Sequence, residues 1–186
     1  SSWLLYLFAP CKWLPMLILR MIHCSFESVM PVSNTTNVAT LTHSLQVGAQ
    51  HFRLCALQDQ QQFYDPDGVA ERAGVSSSTW PLFGRVWPSG LVLADLMHVH
   101  VVDGLRILEV GCGLGLASLV LHQRGANMTA SDYHPIAADF LLANIQLNTL
   151  APLTFALCDW QKLQPELGLF DLIIGSDLLY EPDHPS

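Results

Sequence analysis

The residues best placed to do chemistry are three alternating glycines, Gly111, Gly113 and Gly115, which follow an apolar run that contains Glu109. Glycine lets the backbone turn sharply and lets a ligand lie against bare main chain, so a buried strand that breaks into glycines before a helix indicates a nucleotide-type site. A dinucleotide fingerprint, G-x-G-x-x-G, would need its third glycine at position 116, which is Leu116. No phosphate-binding lysine follows, which excludes a Walker-type loop.

The spacing Glu109-x-Gly111-x-Gly113-x-Gly115 resembles the first motif of class I S-adenosylmethionine-dependent methyltransferases. This resemblance implies that the cofactor is S-adenosyl-L-methionine. It also implies that Gly111 and Gly113 let the cofactor's amino-acid end and ribose lie against the backbone, and that Glu109 supports the ammonium group directly or through water. Taken singly, Glu109 could also be a solvated strand end.

Two further acids end the next strands that the pattern predicts. Asp132 follows Gly111 by about 20 residues, the spacing at which nucleotide-binding folds place a ribose-binding acid. Asp159 closes the following strand as an adenine-facing acid, with Trp160 beside it as a stacking wall. Either acid alone could instead cap a helix or close a turn. Acids at the ends of three successive strands favour a ligand site, because open α/β sheets bind ligands there.

A fourth predicted strand leads into Asp177-Leu178-Leu179-Tyr180, which is similar to the Asp-x-x-Tyr signature of seven-strand protein-lysine methyltransferases. That family includes the calmodulin-lysine and chaperone-lysine enzymes. The segment 84–90, which contains Trp87, resembles the family's upstream tryptophan segment near the cofactor. The resemblance implies a protein substrate that is methylated on a lysine side chain. The chain lacks Asn-Pro-Pro-Tyr at this place, which disfavours methylation of a flipped base.

The same resemblance gives Asp177 and Tyr180 catalytic roles. Methyl transfer is an in-line displacement that needs alignment and a dry site. A lysine amine must react uncharged although its reference pKa is about 10.4, so Asp177 could orient the incoming ammonium before it loses its proton. Tyr180 could pack its ring face against the cationic centres. The alternative is that Asp177 caps the next helix and that Tyr180 belongs to the core.

The elements that must position these residues alternate regularly. The pattern predicts strands at 51–57, 106–110, 127–131, 153–158 and 170–176, a partner for the first strand at 60–64, and helices at 90–98, 116–124 and 135–147. This rhythm predicts a doubly wound, Rossmann-like α/β fold with a mostly parallel sheet, right-handed crossovers and a small N-terminal β-hairpin.

The ends of the chain carry three further expectations. Residues 1–30 are apolar, but Pro10, Lys12 and Pro15 interrupt the run, and no basic region precedes it; the sequence therefore favours a non-native segment over a membrane helix or a signal peptide. Residues 31–50 are predicted to be a flexible lead-in, and residues 51–186 the N-terminal part of a methyltransferase domain. Because the family has seven strands, we expect the C-terminal strands to be missing and this fragment alone to be inactive.

The charge and the cysteine content of the chain limit the classes of partner that it is expected to bind. The formal net charge of −8 disfavours nucleic-acid binding, and no stable membrane association is expected. Five cysteines without a C-x-x-C pair, and dispersed histidines, predict neither disulfides nor a metal site and favour a reducing, cytoplasmic location. Two rivals to the protein-lysine methyltransferase stay open: a small-molecule methyltransferase on the same fold, and an inactive, truncated cofactor-binding module.

Overall fold

The computed structural model describes residues 23–25, 38–160 and 165–178. Its strands are β1 His23–Ser25, β2 Thr40–Val47, β3 Gln50–Leu57, β4 Arg106–Glu109, β5 Asn127–Asp132, β6 Thr154–Asp159 and β7 Leu172–Ile174. Its α-helices are α1 Val69–Arg72, α2 Pro88–Val99, α3 Leu116–Gln123 and α4 Ala137–Leu147, with short 3₁₀ helices at Trp80–Gly84 and Pro165–Leu167.

The main sheet has the strand order β1-β6-β5-β4-β7. The strands β6, β5, β4 and β7 run parallel, and β1 pairs antiparallel with β6. The chain moves outward from β4 through β5 to β6 and then returns to the other side of β4. The carboxyl ends of β4 and β7 therefore border a topological switch point, where open α/β sheets bind ligands. This arrangement confirms the predicted α/β fold class.

The crossover helices agree closely with the sequence pattern. Helix α3 begins directly after the glycines and ends before Gly125, which has φ 78° and so suits the left-handed position that follows a helix. Helix α4 begins at Ala137, two residues later than predicted, and ends at Leu147 as expected. Strand β7 is shorter than the predicted 170–176.

The N-terminal hairpin is present, but the predicted partner of its second strand is wrong. β3 pairs with β2 in an antiparallel register that joins Thr40 to Leu57 and Val47 to Gln50. The segment 40–47 had been assigned to the flexible lead-in because of its Ser and Thr content, yet its exposure alternates as in a half-buried strand. Residues 59–62 form a turn instead, in which the Gln61 amide donates to Asp59 Oδ1 at 2.9 Å.

The free edge of β3 is paired by two asparagine side chains rather than by another strand: Asn144 lies in α4, and Asn148 is the residue that directly follows α4. Asn144 Oδ1 accepts the Cys55 amide at 2.6 Å, and Asn144 Nδ2 donates to the Cys55 carbonyl at 3.3 Å. One helical turn later, Asn148 makes the same pair of bonds to Arg53, at 2.8 and 2.7 Å. Residues four apart lie on one helix face, so the two carboxamides match alternate residues of the strand.

The core lies mainly on one face of the sheet. Alternate strand residues, such as Ile107 and Ala130, contribute to a large cluster with α2, α3, α4 and the hairpin. The intervening residues, such as Leu108 and Ala156, join a smaller cluster with Leu167 and Phe170 on the opposite face. Both faces of the central strands are therefore covered, as continuous apolar strand sequences require.

Candidate active site

A cleft opens at the carboxyl ends of the parallel strands. Its walls come from the glycine loop after β4, the ends of β5 and β6, the loop after β7, the 3₁₀ segment and the start of α2. Seven predicted site residues line it: Trp87, Glu109, Gly111, Gly113, Asp132, Trp160 and Asp177. The fold thus brings together residues that are up to 90 positions apart in sequence, as counted from Trp87 to Asp177.

The glycine loop needs a residue without a side chain at position 113. Gly113 has φ 51°, in the left-handed region, and a Cβ atom there would lie 2.7 Å from the carbonyl oxygen of Phe83. That oxygen belongs to the backbone of the 3₁₀ segment, so it could not easily move aside. The bare main chain of the loop therefore packs directly against the segment that forms the facing wall of the cleft.

Asp132 ends β5 and organises the loop beside it. Its Oδ2 accepts the Gly113 amide at 2.8 Å, and its Oδ1 accepts the His134 amide at 2.8 Å. The side chain is buried, and this burial raises the pKa of the carboxyl although the backbone amides act against the shift. The two carboxylate oxygens have four lone pairs together, so the backbone amides of Gly113, Tyr133 and His134 leave Asp132 able to accept a further hydrogen bond from a ligand hydroxyl.

Glu109 ends β4 and is 4% exposed. Its Oε2 accepts a hydrogen bond from the Ser118 hydroxyl on α3, and its backbone carbonyl accepts one from Ser131 Oγ at 2.7 Å. Burial raises the pKa of Glu109 to about 7, against the hydrogen bonds from Ser118, and the charge of Asp132 adds to the rise. The cleft therefore contains a carboxyl group that a cationic ligand could ionise near neutral pH.

Asp177 lies after β7 at the other side of the switch point. Its Oδ2 accepts a hydrogen bond from the hydroxyl of Ser89, in the first turn of α2. Its φ of 52° lies in the left-handed region, which Asp tolerates better than most residues. Partial burial raises the pKa of this carboxyl. Asp177 is therefore held by its backbone and by Ser89, facing the same cleft as the glycine loop.

The tryptophan segment forms the wall near Asp177. Trp87 Nε1 donates to the Leu82 carbonyl at 2.9 Å, and the Arg85 guanidinium carbon lies 4.6 Å from the centre of the indole ring. These two contacts fix the ring at the start of α2, where Pro88 occupies the first helical position. The segment that the sequence singled out is thus part of the cleft.

Of the remaining predicted site residues, one lies beside the cleft and the other lies outside the described residues. Asp159 is half-buried at the end of β6 and does not line the cleft, whereas its neighbour Trp160 does. Tyr180 lies outside the described residues.

An aromatic cluster in the wall of the cleft was not predicted from the sequence. The His134 ring stacks on Phe83 with centroids 4.0 Å apart and meets Trp80 edge-on at 5.5 Å. Burial lowers the pKa of His134 to about 3, although the charge of Asp65 opposes the shift, so the ring is neutral. The only signal in sequence was the position of His134 two residues after Asp132.

Two further properties of the described residues concern metal binding and membrane insertion. Among the described residues no cluster of three or more His, Cys, Asp or Glu side chains could hold a metal ion. None of the helices in that same part of the chain has both the length and the apolar character needed to cross a bilayer. Cys55 and Cys112 are free thiols, and burial raises the pKa of Cys112.

A family model described as lysine methyltransferase matches residues 78–185. The matched span begins before Trp87 and includes the glycine loop, Asp132, Asp177 and Tyr180, and it covers more than half of the chain. The chain belongs to the lysine methyltransferase family. The residues that line the cleft are therefore, with the exception of Leu54, residues of the family's own matched region.

Several protein methyltransferases are similar to this chain. An electron transfer flavoprotein beta subunit lysine methyltransferase from Rattus norvegicus is 33% identical over 116 residues, 61% of this chain and 45% of the relative. The protein N-lysine methyltransferase METTL21A from Danio rerio is 35% identical, over 56% of this chain and 52% of the relative. The histone-arginine methyltransferase METTL23 from Rattus norvegicus is 31% identical, over 53% and 47%.

The chain spans about half the length of these relatives.

Proposed function

We propose that this protein transfers a methyl group from S-adenosyl-L-methionine to a lysine side chain of a protein. The observation that carries the proposal is the shared cleft of the glycine loop and Asp177, within a region that matches the lysine methyltransferase family. The loop suits a ligand that lies against bare backbone, and Asp177 suits a cationic acceptor. The glycine loop and Asp177 line different parts of the same cleft.

The cleft residues fit the chemical groups of the cofactor. Glu109 offers a buried carboxyl for the ammonium group, and Asp132 retains lone pairs for the ribose hydroxyls. Trp160 offers an aromatic wall for the adenine, and Trp87 offers one nearer to Asp177. The need for glycine at position 113 leaves the loop open to a closely packed ligand. When bound, S-adenosylmethionine supplies an electrophilic methyl group on a sulfonium.

The residues of the chain supply alignment rather than covalent chemistry. Asp177, held by Ser89, orients the acceptor ammonium at the mouth of the cleft. The ammonium loses a proton to solvent, and the neutral amine then approaches in line with the methyl group. The apolar walls of the cleft exclude water, which favours the uncharged amine that must attack. Tyr180 completes the aromatic surroundings of the cationic centres in this proposal. We propose that Asp159, which adjoins Trp160 at the end of β6, faces the adenine from beside the cleft.

The acceptor class follows from Asp177 and the family. Relatives named for lysine methylation of proteins outweigh the relative named for histone arginine, and a single carboxylate beside the methyl donor suits the point charge of an ammonium. A small-molecule acceptor finds no comparable support. We also propose that the protein works in the cytoplasm on proteins and not on nucleic acid, in keeping with its charge of −8.

Methylation of a cell extract tests this function. Full-length protein, extract from cells that lack its gene and methyl-tritiated S-adenosylmethionine should give a discrete labelled protein band, and mass spectrometry should place the added methyl groups on lysine. Heat-treated enzyme is the control. Label that appears only on arginine, or only in small molecules, would contradict the proposed acceptor, and label in neither would contradict the activity.

The raised pKa of Glu109 predicts a pH dependence of stability. Because the folded protein holds this proton more tightly than the unfolded chain does, the free energy of unfolding should fall as pH rises from about 4.5 to about 7. The slope should approach about 1.4 kcal/mol per pH unit where only the unfolded carboxyl is ionised. Urea unfolding at a series of pH values measures it, and Glu109→Gln should flatten the curve.

The same group predicts the pH dependence of ligand binding. The ligand's ammonium favours ionised Glu109, so the affinity for S-adenosylhomocysteine should rise with pH up to about 7 and then level off. Burial is the main cause of this raised pKa, and the charge of Asp132 adds to it. Burial and the charges of Asp132 and Glu109 also raise the pKa of the neighbouring Cys112 thiol. Calorimetry in buffers of different ionisation enthalpy should detect proton release on binding at pH 6. An affinity that does not change between pH 5.5 and 7.5 would rule out this role of Glu109.

A further inference from the structure

One buried side chain outside the proposed chemistry joins three parts of the fold. Asn144 of α4 is 0% exposed. Its carboxamide pairs with both backbone groups of Cys55 in the hairpin, and its Nδ2 also donates to the Leu114 carbonyl at 3.0 Å. Leu114 lies between Gly113 and Gly115, so this bond reaches the glycine loop itself. Both N–H groups of the amide are therefore used, one toward the hairpin and one toward the loop.

The hairpin also contributes directly to the cleft. Leu54 is 1% exposed, lines the cleft and lies between Arg53 and Cys55, the two residues that the asparagines hold. The position of Leu54 therefore depends on how the edge of β3 is fixed to α4. Since Asn144 holds the loop and the hairpin at once, a displacement of one would break a hydrogen bond to the other.

We infer that Asn144 is a positioning residue of the cofactor site, which couples the glycine loop to the N-terminal hairpin. This inference rests on the proposed function, because it concerns how the cleft holds S-adenosylmethionine. Its consequence is that cofactor binding stabilises the edge of β3 through Leu114, Asn144 and Cys55. By linkage, the factor by which bound cofactor stabilises this edge equals the factor by which loosening the edge weakens cofactor binding.

Asn148, the C-cap residue of α4, provides a matched control. Its side chain makes the same two bonds to Arg53, but its other hydrogen bond goes to the Asn144 carbonyl of α4, at 2.7 Å, and none goes to the glycine loop. Asn144→Ala and Asn148→Ala therefore each remove one clamp on β3. Only the first also leaves the Leu114 carbonyl without its partner.

The two variants of the full-length protein separate positioning from stability. Asn144→Ala should weaken the binding of S-adenosylhomocysteine about tenfold or more, the effect of one buried polar group left unpaired, while Asn148→Ala should change it less than about twofold. Both variants should lower the midpoint of thermal unfolding. Equal effects on affinity, or an unchanged affinity in Asn144→Ala, would overturn the inference.

Hydrogen exchange in the wild-type protein decides the question if Asn144→Ala does not fold. Saturation with S-adenosylhomocysteine should slow exchange of the Cys55 amide, which donates to Asn144, more than exchange of the Arg53 amide, which donates to Asn148. Arg53 and Cys55 flank Leu54, so a ligand that only ordered this part of β3 through contact with Leu54 would protect both amides. Equal protection of the two amides would therefore contradict coupling through Asn144. A wild-type protein that binds no S-adenosylhomocysteine would contradict the proposed function instead.

Discussion

Asp177→Asn is expected to abolish methyl transfer while leaving the affinity for S-adenosylhomocysteine nearly unchanged. The carboxylate is proposed to orient the acceptor ammonium, and loss of one oriented charge or hydrogen-bonding group at a reacting centre costs about 10²-fold or more in kcat. Asparagine keeps the shape of the side chain and tolerates the left-handed backbone at φ 52°, where alanine would add strain. The variant therefore removes charge with little change in structure.

Rates of tritium transfer and calorimetric affinities, measured on the same preparations, check this prediction. Asp95→Asn is the matched control, because it makes the same change on the exposed surface of α2 and should leave both quantities unchanged. Equal losses of transfer and of cofactor affinity in Asp177→Asn would show that Asp177 supports the cofactor site rather than the acceptor. Full activity in that variant would remove Asp177 from the mechanism.

Gly113→Ala should lose cofactor binding and much of its stability. The new Cβ atom would lie 2.7 Å from a backbone oxygen of Phe83, and the residue would also have to keep φ 51°. Relief requires the loop to move, which would break the bond from the Gly113 amide to Asp132. We expect at least about a hundredfold loss of affinity for S-adenosylhomocysteine, which corresponds to about 3 kcal/mol.

Gly104→Ala separates the collision from the backbone strain. Gly104 also has a positive φ, 73°, but no atom lies within 4 Å of the Cβ that alanine would add. This variant should lose about 1–2 kcal/mol of stability from the left-handed conformation alone and bind S-adenosylhomocysteine normally. Unfolding and calorimetry of the two variants measure the difference. Similar affinities would show that the loop tolerates a side chain at position 113.

The sequence predicted the parallel strands and their acids because both are local patterns. An apolar run that ends in Glu109 or Asp132 can be recognised without knowledge of any distant residue. The hairpin edge could not be recognised in this way. The backbone groups at this edge are hydrogen-bonded by Asn144 and Asn148, which lie 89 and 95 residues from their partners. The sequence around an asparagine in or beside a helix does not indicate which distant residue it will bind.

The surroundings of the site residues could not be predicted from the sequence either. The sequence assigns Asp132 to a ligand, but in the structure its carboxylate also accepts backbone amides, among them those of Gly113 and His134. The raised pKa of Glu109 arises from burial, which depends on how α3 and β5 pack around it. The strand β2 was missed because its Ser and Thr residues are typical of loops, whereas the paired register with β3 stabilises it as a strand.

Calorimetric titration of the full-length protein with S-adenosylhomocysteine and, separately, with NAD tests the central claim most directly. The spacing of Gly111, Gly113 and Gly115, with Leu116 where a dinucleotide site needs glycine, distinguishes the two ligands. We expect saturable 1:1 binding of S-adenosylhomocysteine and no binding of NAD. Gly113→Ala should abolish the binding of S-adenosylhomocysteine, and Gly104→Ala should preserve it. Tight binding of NAD, with no heat from S-adenosylhomocysteine, would contradict the account.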